Sequence, residues 1–274
     1  MAGVVHDLAR KGFGEGTNEL YDRARPSYQP GALSFLRQAV NAPAPIDIVE
    51  IGAGTGIFTR ALLAHPEWST SIGTLKAVEP SAGMRGVFEK SVVDKRVTVR
   101  EGFFDHTGIE DGQADLVVIA QAFHWCPNFD AAAAEFARIL KPDGVVVLIW
   151  NLEDREGAGW VAQLRDRIES YEQGTPQFRL MLWRKLFETE SYKKYFQPPV
   201  EEVWNYHLTG TFDIVRDRAF SKSYVAVQPD DVKAKLTEDI KEIVERGDGK
   251  KWIDESQGIF EYPYKTYAVV LKRK

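Results

Sequence analysis

Three glycines alternate in "VEIGAGTGIFT" (49–59), and Gly52, Gly54 and Gly56 follow a carboxylate at Glu50. Glycine after a strand-like run and before a helix-like one lets the backbone turn with φ above zero or approach a ligand closely. A second acid, Glu79, ends "GTLKAVEP" (73–80), and His124 with Trp125 follows "ADLVVIAQA" (114–122). Acids in such places can grip hydroxyls or face a cation. A histidine there is either a candidate base or a structural residue. Other chemistries are excluded. The dinucleotide fingerprint needs glycine or alanine where Ile57 stands, and no P-loop lysine follows the last glycine. G-x-S-x-G and HExxH are absent, and His6, His65, His106 and His207 have no metal-ligand spacing. The single cysteine, Cys126, can form neither an internal disulfide nor a cysteine-based metal site. No metal is expected.

The elements that must position these residues alternate in type. "PIDIVEIG" (45–52), 73–80, "RVTVREG" (96–102), 114–122 and "DGVVVLIWN" (143–151) read as five strands, with helical patterns between them. Ser81 is a fair N-cap, and "NFDAAAAEFARIL" (128–140) is a strong helix stopped before Pro142. Such repeats form a parallel sheet with right-handed crossovers. Beyond Asn151, residues 157–197 look helical and rich in large aromatics. Residues 200–210 return as a strand, 229–247 as an amphipathic helix, and the closing segment as a strand that Pro263 should bend or bulge.

Open α/β sheets bind ligands beyond the C-terminal strand ends, where this glycine loop lies. The spacing E-x-G-x-G-x-G suits a ligand without phosphates, for which a carboxylate is useful. S-adenosylmethionine, with its ammonium and sulfonium charges, fits beside Glu50, and Glu79 suits a ribose diol. Glu50 also has a plainer reading as a cap of the turn. Gly56 serves either the ligand or close helix–strand packing.

Here the chain resembles the class I S-adenosylmethionine-dependent methyltransferases, best from about residue 17 to 151. The stretches are "VEIGAGTGIFT", "AVEPSAGM", "ADLVVIAQAFHW" and "ARILKPDGVVVLIWN". "AQAFHW" and "ELYDRARPSYQPGAL" (19–33) are similar to the small-molecule methyltransferases of the trans-aconitate methyltransferase type, including fungal relatives. The resemblance implies that Gly52, Ala53 and Gly54 line the methionine half of the cofactor and that Glu79 holds the ribose. Pro80 and Met84 would lie beside the adenine, Gln121 and Ala122 beside the methionine moiety, and Tyr21 and Arg25 over the cofactor. The chain departs at "GFFD" (102–105), where relatives place a small–acidic pair. Phe103 packing on the adenine and Asp105 as the acid both stay open, and Phe104 joins the expected cofactor residues.

The implied fold is α/β and Rossmann-like: a mostly parallel seven-stranded sheet with helices on both faces, an N-terminal helical cap and a helical lid after strand 5. One methyltransferase domain would divide into a cap (1–44), a cofactor core (45–151), an acceptor-side lid (152–200) and completing strands and helices (201–274). The expected activity is in-line methyl transfer to a carboxylate or hydroxyl oxygen of a small molecule. His124 would be the base if the acceptor needs one, on the floor of a largely apolar pocket with Trp125. The alternative is a protein of the same fold that binds the cofactor without transferring methyl. A net charge of −5 argues against nucleic acid as partner. No stretch approaches the ~18 apolar residues of a membrane span, and the opening residues do not read as a secretory signal. A cytoplasmic protein is the expectation.

Overall fold

The computed structural model describes residues 18–274. The expectation about a leader therefore falls on residues outside those described. An eight-stranded sheet organises the molecule, with β1 (Ile46–Ile51), β2 (Ile72–Val78), β3 (Val97–Arg100), β4 (Ala114–Ala120) and β5 (Leu140–Glu153) all parallel. β6 (Val200–Gly210) and β8 (Ile259–Lys272) are antiparallel additions, and the order is β3-β2-β1-β4-β5-β8-β6. The eighth strand is β7 (Trp252–Asp254), three residues pairing with β8, which corrects the expected seven. So short a strand carries no periodic signal. β4 is buried along its whole length, which is why it reads as an unbroken apolar run.

Near its N-terminus the chain forms α1 (Asn18–Ala24) and α2 (Pro30–Ala39). Then come α3 (Ile57–Ala64), α4 (Pro66–Ser69), α5 (Ala82–Ser91) and α6 (Phe129–Ile139). The caps are local: Ser81 Oγ accepts from Met84 N at 3.3 Å, and Asn128 Oδ1 from Ala131 N at 3.1 Å. Leu36, Phe58, Leu62 and Phe88 pack on one face of the sheet. Phe136, Trp150, Trp183 and Phe196 pack on the other. Burial of these side chains, about 1.5–3 kcal/mol each, holds both layers.

The 157–197 stretch is only partly α-helical. α7 (Gly159–Glu169) and α8 (Glu190–Tyr195) flank short 3₁₀ turns at Phe178–Leu180 and Leu182–Glu188. Gly174 (φ +77°) and Met181 (φ +56°) break the helical path. A separate cluster joins α7, α9 (Phe212–Phe220), α10 (Ser223–Ala226) and α11 (Asp230–Arg246) to β8 through Trp160, Val215, Leu236 and Tyr262.

Pro263 makes no bulge. β8 runs in unbroken register with β6 through Pro263↔His207, and the Pro263 carbonyl accepts from Asp154 N at 2.9 Å, just past the end of β5. The missing N–H falls where the neighbouring strand has ended, so no ladder bond is lost. Strand order reverses between β2-β1 and β4-β5, opening a crevice at their C-terminal ends.

Candidate active site

The glycine loop leaves β1 with all three glycines at positive φ: +73° at Gly52, +58° at Gly54 and +87° at Gly56. Gly52 and Ala53 both donate from their backbone N–H groups to Val78 O, at 2.7 and 3.2 Å, so the loop is tied across to β2. A Cβ on Gly52 would lie 2.6 Å from Ala122 Cβ, which places the loop tightly against the end of β4. A Cβ on Gly56 would lie 2.6 Å from Val92 and 2.9 Å from Phe88, so that glycine serves helix packing. Gly54 is different: Met84 Sδ, at 3.7 Å, is its nearest neighbour, and the loop there has open space for a ligand.

Two carboxylates flank the loop. Glu50 is 1% exposed; Thr59, one turn into α3, donates its hydroxyl to Oε2, while Oε1 is buried with no partner. Burial pushes its pKa up to about 8, helped by nearby Glu79 and opposed by the Thr59 hydrogen bond. A buried acceptor without a donor costs stability unless a ligand supplies one. Glu79, just past β2, is 5% exposed, its Oε2 accepting from Gly54 N at 2.9 Å and its Oε1 from Ser81 N at 2.8 Å. Burial raises its pKa too, against the two backbone amides. It braces the glycine loop, and each oxygen keeps a second lone pair for a ligand hydroxyl.

A cavity opens over this loop. Glu50, Gly52, Ala53, Gly54, Tyr28 and Phe58 line it together with Tyr21, Arg25 and Gln121. A second cavity shares Tyr21, Arg25 and Gln121 and continues past His124, Trp125, Trp150 and Asn151. Gln121 (φ +60°) exchanges two 2.9 Å hydrogen bonds with the Asn151 backbone. Asn151 also donates from Nδ2 to Ser27 O at 3.1 Å, holding the segment after α1 over the crevice.

The wall of the second cavity corrects the expectation of an apolar pocket. Arg25, Arg165, Arg179, Arg218 and Lys222 all line it. Glu153 Oε2 pairs with Arg165 at 2.7 Å, and its Oε1 with Lys222 at 2.9 Å and Arg218 at 3.3 Å. Glu169 (2.6 Å) completes Arg165, and Glu172 binds Arg179. Three carboxylates thus face four guanidinium groups and the Lys222 amine among the described residues. The excess shows in the titration. Burial, then the neighbouring Arg218, brings Arg25 down to about 10. Burial also drives Lys222 well below its ordinary value; Glu153 opposes this, but Arg218, Arg165 and Arg25 add to it. Burial works against ionised Glu153, yet Arg218, Lys222 and Arg165 hold it well below the usual carboxylate range. The pattern favours a bound anion.

His124 sits in the 3₁₀ turn Phe123–Trp125 with its pKa lowered to about 3, by burial first and Arg25 second. Phe104 packs edge-on against Phe123 at 5.9 Å, and its ring lies within 4 Å of where a Gly52 side chain would start. Phe103 bridges to His106 through its backbone. Of the expected cofactor residues, Glu79, Pro80, Met84, Phe103, Phe104 and Ala122 line neither cavity, although Met84 reaches the Gly54 turn and Glu79 braces it. Burial raises the Cys126 thiol to about 12. Among the described residues no group of three or more His, Cys, Asp or Glu could hold a metal ion, and no helix is long and apolar enough to cross a membrane.

A glycine-loop crevice at the switch point of this sheet, with a buried carboxylate oxygen left unpartnered beside it, is the ligand site of a Rossmann-like fold. Residues 49–148 match the family described as a methyltransferase domain. The chain is 30% identical over 226 residues to an uncharacterized methyltransferase of Mycobacterium tuberculosis, covering 82% of each. It is 32% identical over 175 residues to an uncharacterized methyltransferase-like protein of Schizosaccharomyces pombe, where the alignment covers 64% of each. Phosphoethanolamine N-methyltransferase 2 of Haemonchus contortus, solved with S-adenosyl-L-methionine, shares the fold at a TM-score of 0.56 and 16% identity, over 98% of this chain and 60% of that one. The chain belongs to the S-adenosylmethionine-dependent methyltransferases.

Proposed function

We propose that the chain transfers a methyl group from S-adenosylmethionine to a carboxylate or hydroxyl oxygen of a compact anionic molecule. The observation that carries this reading is that the two cavities share Tyr21, Arg25 and Gln121 in their linings, one lying over the glycine loop and the other lined by basic side chains. Glu50 Oε1 would receive the cofactor's ammonium, which satisfies a buried acceptor. Gly52, Ala53 and Gly54 would lie under the methionine half, Glu79 would take the ribose diol with its free lone pairs, and Ala122 and Gln121 would set the width of the crevice. Bound there, the cofactor supplies an activated methyl on a sulfonium.

The chain's own residues then have three tasks. Tyr21, Arg25 and the segment that Asn151 ties down exclude water over the crevice. The cations around Glu153 draw the acceptor's negative charge into the second cavity and hold its oxygen in line. An acceptor carboxylate is ionised at neutral pH, so no proton has to leave. Residues 18–44 and 152–200 serve as cap and lid in this reading.

A dicarboxylic or tricarboxylic acid of the trans-aconitate kind fits both the cationic wall and the resemblance of "AQAFHW". Incubation with S-adenosylmethionine and a panel of small acids, amines and alcohols tests it. Methyl esters or ethers of anionic molecules are expected, with S-adenosylhomocysteine formed in equal amount. Transfer only to neutral or cationic molecules would rule the reading out.

A further inference from the structure

We infer that Trp150 is a positioning residue that locks His124 as a hydrogen-bond donor to the acceptor, so that His124 does not act as a base. Trp150 Nε1 lies 3.3 Å from His124 Nδ1. An indole N–H only donates, so Nδ1 must be the bare nitrogen, and a neutral imidazole then carries its proton on Nε2. Trp150 cannot turn away. It is fully buried in β5, stacked on Phe178 at 4.6 Å and packed against Trp183 at 4.8 Å. His124 lines the second cavity beside it, and no described residue hydrogen-bonds to its Nε2.

To work as a base, His124 would have to take a proton on Nδ1, facing the indole N–H, or reach the acceptor with a nitrogen that already bears one. The surroundings oppose the imidazolium as well. Arg25 follows α1, Arg165 lies on α7, Arg179 on the 3₁₀ turn, Arg218 on α9 and Lys222 just before α10, all lining the same cavity. Tyr21 and Tyr224 are its titratable hydroxyls, and Glu153, behind the cations, is already committed to three of them. With Arg25 adding to burial, the ring stays neutral through the physiological range. Such a donor suits an oxygen that arrives ionised, so the kinetic side of this inference rests on the proposed anionic acceptor. The tautomer itself does not.

The test has two arms. In the first, the full-length protein carries ¹⁵N-labelled histidine, His124→Gln assigns the resonance, and long-range ¹H–¹⁵N spectra are recorded from about pH 5 to 9 around neutrality. The expected pattern is a single Nε2-protonated ring that does not titrate. Trp150→Phe should release it to a tautomer mixture. A ring protonated on Nδ1, or one titrating inside that window, would overturn the inference even if no acceptor were known. In the second arm, His124→Gln, which keeps a donor, should lose less than about tenfold in kcat, against about 100-fold for His124→Ala. A base would lose about 10²–10⁴-fold in both. Equal losses in the two variants would therefore contradict the donor role. Should Trp150→Phe fail to fold, the wild-type spectrum and the Gln/Ala comparison still decide the matter.

Discussion

Cofactor binding should depend on pH through Glu50. Its carboxyl is buried with Oε1 unpartnered, and burial moves its pKa to about 8. Below that value the group is neutral in the unliganded protein. If an ammonium docks on it, the carboxylate form is required, and binding must first remove the proton. Affinity then rises tenfold per pH unit up to about pH 8 and levels off above. At about pH 6 the dissociation constant should be ~100-fold weaker than on the plateau, a difference of about 2.7 kcal/mol at 1.36 kcal/mol per unit. The same shift has the opposite sign for the empty fold. A carboxyl with a raised pKa stabilises most below about 4.5, and that contribution is lost as pH rises through about 8. Calorimetry with S-adenosylhomocysteine across this window reads the first effect, and parallel titrations in buffers of different ionisation enthalpy count the proton released. Glu50→Gln should bind weakly and independently of pH. A flat wild-type profile, or an unchanged slope in Glu50→Gln, would refute the reasoning.

Glu79→Ala should remove the acceptor of two backbone N–H bonds, from Gly54 and Ser81, and destabilise the unliganded protein by about 1.5–3 kcal/mol while weakening cofactor binding. An unaltered melting temperature would show the bracing to be unimportant. Gly52→Ala forces a Cβ to within 2.6 Å of Ala122 at φ +73°, and a loss of ~1–3 kcal/mol is expected in denaturant unfolding. Wild-type stability there would mean that the loop relaxes freely. Arg165→Met removes a guanidinium that lines the second cavity and not the one over the glycine loop, so KM for an anionic acceptor should rise about 10–100-fold with little change in cofactor affinity. A KM that stays put would detach the cation cluster from acceptor binding.

The half of the crevice proposed for the cofactor was legible because its signals are local. Three glycines needing positive φ, an acid before them and an N-cap serine after the next strand all fall within a few dozen residues. The acceptor half was not. Arg165 stands 12 residues from Glu153 and Lys222 stands 69 away, and they meet only because α7 and α9 fold against the end of β5. In sequence, Arg165 is an ordinary charge on an amphipathic helix. Charges that meet across such distances leave no periodic trace, so the aromatics of 157–197 dominated the expectation of an apolar lid. Most of those aromatics, Trp160, Phe178, Trp183 and Phe196 among them, are core residues. Glu79 does more than its sequence position suggests: the acid expected to take a ribose diol is buried and holds the glycine loop through Gly54 N. The Trp150–His124 contact left one local signal, since His124 follows β4 within a few residues and Trp150 lies in the last part of β5, the strand paired beside it.

The proposed activity is methyl transfer to an anionic small molecule in a cavity that shares Tyr21, Arg25 and Gln121 with the crevice over the glycine loop. The most direct measurement follows methyl-labelled S-adenosylmethionine with the purified protein and a panel of small mono-, di- and tricarboxylic acids, beside matched amines and neutral alcohols. Label is expected in base-labile esters of the polycarboxylic acids, with S-adenosylhomocysteine formed in equal amount and KM rising with ionic strength. Label in amines or neutral alcohols but in none of the acids would contradict it.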